Sequence, residues 1–229
     1  KIVSRIAGQK PALHSDLLLY EASSGKLLTF MDADWITQMR TGAVAALAIQ
    51  TLQSTEAQTY AFVGLGNTAI ATMQCLLSIL PANKTITCKL LAYKNHAEHF
   101  ASFFSEHSNI KFTIVKSYCE LIKDSDVVVS AVTDMPTLFC EEESYYKEGV
   151  LVVPIHTKGF QNCDLFFDHV FADDTGHVSG FKHFNKFKRF NELSEVLLGQ
   201  QPGRLSNKER ILAYNIGLGL HDIFFATKI

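Results

Sequence analysis

The order of apolar and polar positions splits the chain into an opening stretch and a long alternating one. "KIVSR" (1–5) is a short apolar-alternating piece and reads as a strand. "DLLLYEAS" (16–23) and "KLLTFMD" (26–32) are apolar runs parted by Ser23-Ser24-Gly25, which is hairpin chemistry. Asp32 is expected to cap a helix through "ADWITQMRTGAVAALAIQTLQ" (33–53), where Ile36, Met39, Ala43, Ala46, Leu47 and Ile49 mostly keep the helical period. From residue 60 strands and helices alternate. The strands are Tyr60–Val63, "CKLLAY" (88–93), "KFTIV" (111–115), "DVVVSAV" (126–132) and "VLVVPI" (150–155). The helices between them cover Thr68–Ile79, "AEHFASFFSEH" (97–107) and "CELIKD" (119–124). Apolar strands without polar alternation are buried on both faces, as in a parallel sheet with helices on each side. A further strand, "HVFADD" (169–174), precedes a loop rich in Phe, Lys and His at 177–190. The end reads as helical, over "NELSEVLLG" (191–199) and "SNKERILAYNIGLGLHDIFFATKI" (206–229). The expected fold is α/β: a Rossmann-type parallel sheet with helices on both faces over 58–203, and a smaller α+β dimerisation and substrate region from 1–57 with 204–229.

The turn between the first strand of the alternating part and its helix is Gly64-x-Gly66-x-x-Ala69. In that context the pattern points to a dinucleotide. Gly64 allows the tight turn, Gly66 lets a pyrophosphate approach the backbone, and Ala69 lets the helix pack closely on the strand. The helix start, with Asn67 and Thr68, offers free N–H groups and a positive dipole end to the phosphates. The end of the second strand, where an acidic residue would hold the ribose 2′-hydroxyl of NAD, carries Tyr93, Lys94 and Asn95. A lysine attracts a 2′-phosphate that a carboxylate would repel, which favours NADP(H) over NAD(H). Tyr93 or Asn95 can equally hydrogen-bond a free 2′-hydroxyl.

Composition narrows the field. With 229 residues, 47% of them hydrophobic, the chain can build one or two packed domains. A formal net charge of −2 gives no support for nucleic acid or an anionic membrane as partner. Apolar runs such as Ala43–Ile49 are far short of the ~20 residues that span a bilayer. The five cysteines lack metal-like spacing and fit free thiols in a reducing cytoplasm. Asp173, Asp174 and His177 do not complete a ligand set, so no metal is expected. The "FKHFNKFKRF" run reads as a half-buried loop or lid. Asp222 lies on the last helix among Ile216, Leu220, Ile223 and Ala226, placed for the site or for a core hydrogen-bond network. The chain opens at Lys1 without an initiator Met, and earlier residues are expected to precede it.

Taken in order, these pieces resemble the ornithine cyclodeaminase/mu-crystallin family. "KIVSR" looks like its lysine-bearing strand. "LLLYEASSGKLLTFMDADWITQMRTGAVAALA" looks like its hairpin and D-x-x-x-I-T-x-x-R-T-x-A signature, and "FVGLGNTA" like its nucleotide turn. "DSDVVVSAVT", "NELSEVLLGQQPGR" and "NIGLGLHD" match later segments. The resemblance implies an NAD(P)(H) cofactor, a small amino- or imino-acid substrate and a homodimer. It implies that Lys1 and Arg40 hold the substrate carboxylate, for which a guanidinium fork and an ammonium are suited. The nicotinamide is expected near Val132 and Thr133, at the carboxyl ends of the strands. Thr41 and Asn215 complete the expected cofactor contacts.

The chain departs from the family's pattern in "VVPIHTKGFQNCDL" (152–165). Where the catalytic aspartate should fall stand His156, Thr157 and Lys158. His156 and Lys158 are therefore the catalytic candidates beside Lys1, with His156 able to act as acid or base near neutral pH. Three functions remain in view. The first is hydride transfer on a small imine or amino acid; the others are cyclodeamination of ornithine to proline with release of ammonia, and nicotinamide binding without turnover.

Overall fold

The computed structural model describes residues 1–6, 8–9, 13–132, 135, 139–161 and 163–229. The opening stretch folds as expected: β1 (Ile2–Arg5), β2 (Leu13–Tyr20) and β3 (Leu27–Asp32) form an antiparallel sheet in chain order. Leu17 and Met31 pair on its inner face, against Ala33 and Ile36 of the following segment. The outer face leaves Ile2, Tyr20, Leu28 and Phe30 more than half exposed.

Helix α1 (Asp34–Leu52) follows. Asp32 does not occupy its cap position. Ala33 does, and Asp32 instead accepts from the Asp34 amide at 2.9 Å. The Asp34 carboxylate turns back to the Ser15 amide at 2.6 Å, so the helix start is tied to β2.

The alternating part forms one eight-stranded sheet in which every pair is parallel. Its strands are β4 (Thr59–Val63), β5 (Ile86–Leu91), β6 (Ile110–Val115), β7 (Val127–Ser130), β8 (Leu151–Pro154), β9 (His169–Ala172), β10 (Phe190–Glu192) and β11 (Ile211–Tyr214), in the spatial order β10-β9-β11-β8-β7-β4-β5-β6. Helices α2 (Asn67–Ile79), α3 (His96–Phe103), α4 (Tyr118–Ile122), α5 (Thr175–Val178), α6 (Leu193–Leu197) and α7 (Gly219–Ala226) accompany it. The uninterrupted apolar runs have a direct reason. Phe62, Val129, Val153 and Ile211 enter one core with Ile49 and Met73, while Val63, Val128, Val152 and Leu212 enter the other with Leu121 and Phe160. Both faces are covered, so both parities must be apolar.

Two expectations fail at the end of the chain. Residues 206–229 are not one helical stretch, because Ile211–Tyr214 is a strand between β8 and β9. Part of 204–229 thus belongs to the large sheet, and only α7 returns to the first region, where Ala226 and Phe225 pack with Leu17 and Ile36. The charged "NKER" before "ILAY" imitates the polar side of a helix, whereas burial of all four residues on two faces makes a strand. Similarly, Phe190–Glu192, divided between the loop and the following helix in sequence, pairs with β9 as an edge strand. Among the described residues no helix is long and apolar enough to cross a membrane.

Helix α1 covers α2 through small residues. A Cβ on Gly42 would stand 2.6 Å from the carbonyl carbon of Ala71 and the amide of Thr72. In an exposed helix interior, glycine to alanine adds about 1 kcal/mol of stability. Here the added methyl meets backbone that cannot swing aside, and overpacking costs about 1–3 kcal/mol. Gly42→Ala is expected to be net destabilising by urea unfolding; a more stable variant would show that the α1–α2 contact is looser than described.

Candidate active site

The carboxyl ends of neighbouring strands line up along one edge of the large sheet. The strand order reverses between β4 and β7, which opens a crevice there. Val63 ends β4 and passes into Gly64, whose φ of +77° belongs to the left-handed region. A Cβ on Gly64 would also lie 2.5 Å from the backbone of Ala131 and Val132, so the turn and the exit of β7 require each other. Gly66 is the N-cap of α2, and no side chain among the described residues caps it. Space around its α-carbon is open. Asn67 is exposed, Thr68 is half-buried, and Ala69 is fully buried against the sheet. A cleft of 300 Å³ begins here, lined by Leu65, Gly66, Asn67, Ile70, Asn95, His96 and His99. The uncapped amides, the open glycine and the adjoining cleft fit the phosphates and one ribose of a dinucleotide.

His96 and His99 escaped the sequence reading. The signal was their i, i+3 spacing at the start of α3, which sets both on one helix face. Tyr93 and Lys94 lie beside the cleft but do not line it. Tyr93 packs edge-on against His96, with ring centres 5.3 Å apart. The Lys94 ammonium sits 5.1 Å from the Tyr93 ring centre, on a backbone turned to a φ of 50°.

A second group of residues lies where α1, α7 and the segment after β11 meet. Asp222 is 4% exposed. Its Oδ1 accepts from Lys1 Nζ at 2.8 Å and from Arg40 Nε at 3.1 Å. Burial pushes the Lys1 ammonium below its ordinary range, opposed by its bond to Asp222 and aided by Arg40. The Arg40 guanidinium keeps one buried nitrogen, Nη1, with no partner among the described residues. Gly217, at a φ of +101°, lies against that nitrogen, and a Cβ there would overlap it. The Gly217 amide is in turn held by the Asp173 carboxylate, which also meets His177 Nδ1 at 3.3 Å. Asp173 and His177, considered in the sequence as metal ligands, thus form a loop anchor. Among the described residues no group of three acidic, His or Cys side chains is placed to hold a metal.

The remaining expected residues divide. Lys1 and Arg40 meet. Thr41 is buried and bonds back to the Thr37 carbonyl at 2.6 Å, and Asn215 is buried with its amide donor on the Ala213 carbonyl at 2.9 Å. Val132 is half-buried beside the Gly64 turn, and Thr133 lies outside the described residues. His156 and Lys158 part company. His156 places Nε2 2.7 Å from the hydroxyl of Ser130, a fully buried residue at the end of β7, while Lys158 is exposed. Burial pushes the His156 imidazole below its ordinary value, towards the neutral form.

Removing one member of a buried ion group leaves the others charged and desolvated, which costs about 3–5 kcal/mol. Asp222→Ala is therefore expected to lower stability by about 3 kcal/mol or more in urea unfolding. Asp222→Asn, which keeps an acceptor, is expected to lose less. Equal, small losses would mean that Lys1 and Arg40 reach water easily.

The fold has counterparts among known proteins. The chain is 24% identical over 226 residues to the nodulation efficiency protein NfeD of Rhizobium meliloti, covering 96% of this chain and 69% of that protein. It is 21% identical to the Delta(1)-pyrroline-2-carboxylate reductase of Bacillus cereus, over 95% of this chain and 70% of the reductase. Among solved structures, the Thermococcus litoralis Delta(1)-pyrroline-2-carboxylate reductase, in complex with NADH and L-proline, superimposes with a TM-score of 0.81 at 20% identity, over 94% of this chain and 70% of that one. Residues 5–229 match the model of a single family, and the chain belongs to it: the ornithine cyclodeaminase/mu-crystallin family.

Proposed function

We propose that this chain is an NAD(P)H-dependent oxidoreductase acting on a small imine or amino acid that carries a carboxylate. The observation that carries the reading is the buried Arg40 nitrogen beside Gly217, without a partner among the described residues, at the far end of the strand edge that begins at the Gly64 turn. The backbone links along that edge are continuous. Ala131 donates to Val63, Ile155 to Ser130, Asn215 to Pro154 and Asp173 to Tyr214. Three strand spacings separate β4 from β11, which is about 14 Å and leaves room for a nicotinamide riboside and a small substrate between them. The Bacillus and Thermococcus relatives named above are pyrroline-carboxylate reductases, whose substrate is a cyclic imine bearing a carboxylate.

When bound, the nicotinamide supplies the hydride. The protein's part is to hold and orient. The α2 amides take the phosphates, and Gly66 admits them to the backbone. Arg40 and Lys1 grip the substrate carboxylate, with Asp222 fixing the two cations in place. The exit of β7 at Ala131 and Val132 would form the wall beside the nicotinamide. The 155–159 loop offers His156 turned onto Ser130 and an exposed Lys158, and no carboxylate. That favours reduction of an imine over cyclodeamination of ornithine, for which the family's pattern places an aspartate there. Binding without turnover is the outcome in which no imine consumes the cofactor.

The reading includes a homodimer in the cytoplasm. The exposed apolar faces of the small sheet and of α7, with Phe30 at 62%, Leu220 at 69% and Phe224 at 59%, supply the surface for a second copy. The free cysteines suit a reducing compartment.

Two measurements test the site. Arg40→Ala is expected to raise KM for a carboxylate imine far more than it changes NAD(P)H affinity, because losing a charge-assisted pair costs about 2–5 kcal/mol, well over tenfold. Arg40→Lys should rescue only part, for want of the planar fork. Unchanged kinetics in Arg40→Ala would remove the carboxylate grip from the account. In fluorescence titrations NADPH is expected to bind about tenfold more tightly than NADH, the worth of one charge-assisted contact from Lys94 or the neighbouring histidines. Equal affinities, or tighter NADH, would contradict the 2′-phosphate reading.

A further inference from the structure

Two buried side-chain nitrogens without a partner among the described residues belong to one turn of the structure: Arg40 Nη1 and His221 Nδ1. After β11 the chain folds over the guanidinium. Gly217 lies against Nη1, and Asp222 holds Nε at 3.1 Å. His221 stands between these two contacts in the first turn of α7, with its amide on the Leu218 carbonyl at 3.1 Å. The residue is half-buried, so a proton can reach it from solvent, while Nδ1 itself is enclosed.

We propose that His221 is the second ligand of the substrate carboxylate: Arg40 Nη1 takes the carboxylate, His221 Nδ1 donates a further hydrogen bond to it, and the imidazole binds a proton as the carboxylate arrives. The inference rests on the reading that a carboxylate substrate docks at Arg40.

The surrounding charges supply the reason. Arg40 acts on the ring from α1, Asp222 from its own helix, and Asp173, which also meets His177, from the segment after β9. Lys1 joins the group through Asp222. Two cations, Lys1 and Arg40, thus stand against two carboxylates, Asp173 and Asp222. In the empty site burial pushes the His221 imidazole below its ordinary value; Arg40 adds to this, and Asp173 and Asp222 oppose it. The positive end of α7 also disfavours a charge on the ring. An incoming carboxylate adds a negative charge where water is scarce and imbalance is costly. A proton on His221 restores the balance. It also secures the hydrogen bond, because both ring nitrogens of an imidazolium are donors. By linkage, a carboxylate that draws in a proton binds more weakly as pH rises. An amide in place of the carboxylate brings no charge and draws no proton, so the pair selects the free acid.

The test is calorimetric titration of the NADPH-loaded full chain with pyrrole-2-carboxylate, a planar carboxylate without a basic nitrogen. Repeating it in buffers of different ionisation heat counts the protons exchanged. The wild type is expected to take up about half a proton near pH 7, with affinity falling at higher pH. His221→Asn places an amide nitrogen close to the position of Nδ1 and cannot titrate, so it should bind the carboxylate without taking up a proton. His221→Leu should bind it at least about tenfold more weakly. NADPH affinity, read by fluorescence, should be equal in wild type and both variants, which shows that they are folded. Wild-type binding without proton uptake, uptake that persists in His221→Asn, or undiminished binding in His221→Leu would overturn the proposal and leave the Arg40 site standing. No binding by the wild type, or binding indifferent to Arg40→Ala, would remove the carboxylate site and the proposal with it.

Discussion

One buried carboxylate holds the candidate site together. Asp222 joins the first residue of the chain, a helix from the first region and the last helix, through Lys1 and Arg40. Three charges so far from water are stable only as a group, and the group leaves one Arg40 nitrogen unanswered. That asymmetry is chemically useful. In the proposed function Asp222 balances the cations before substrate arrives, and the Arg40 nitrogen beside Gly217 is the donor offered to its carboxylate. The left-handed backbone at Gly217, held by Asp173, follows from the same need, since any side chain there would strike the guanidinium.

The parallel sheet supplies the second constraint. Because every strand of the large sheet runs the same way, all the loops leaving its carboxyl ends emerge along one edge. Gly64, Ser130, His156 and Gly217 come from distant parts of the sequence and reach that edge on adjacent strands. The insertion of β11 between β8 and β9 is what brings Gly217, and Arg40 against it, to that edge. The close packing of α1 on α2, at Gly42 against Ala71 and Thr72, fixes the Arg40 group relative to the Gly64 turn as well.

Much of this was legible in the sequence, and the reasons differ by element. The Gly64 turn could be read because backbone geometry there demands particular residues. The doubly buried strands could be read because both parities are apolar. The strand Ile211–Tyr214 could not, since four apolar residues after a charged run fit a helix as well, and only the sheet around them decides. Asp222 was noticed as an acidic residue on an apolar stripe, yet its partners lie 182 and 221 positions away, beyond any local pattern. His96 and His99 belong to the cleft through the packing of α3 beside α2. His156 looked available for acid–base work, and its engagement with Ser130 depends on the neighbouring strand.

The central claim is that a hydride passes between a nicotinamide seated at the β4–β7 crevice and a carbon held there by its neighbouring carboxylate. NADPH carrying deuterium at C4 of the nicotinamide, incubated with this protein and a cyclic imine carboxylate, tests it most directly. The account predicts an amino-acid product with one deuterium on the carbon that bears the carboxylate. Cofactor that binds yet delivers no deuterium to any of a panel of imine carboxylates would contradict it.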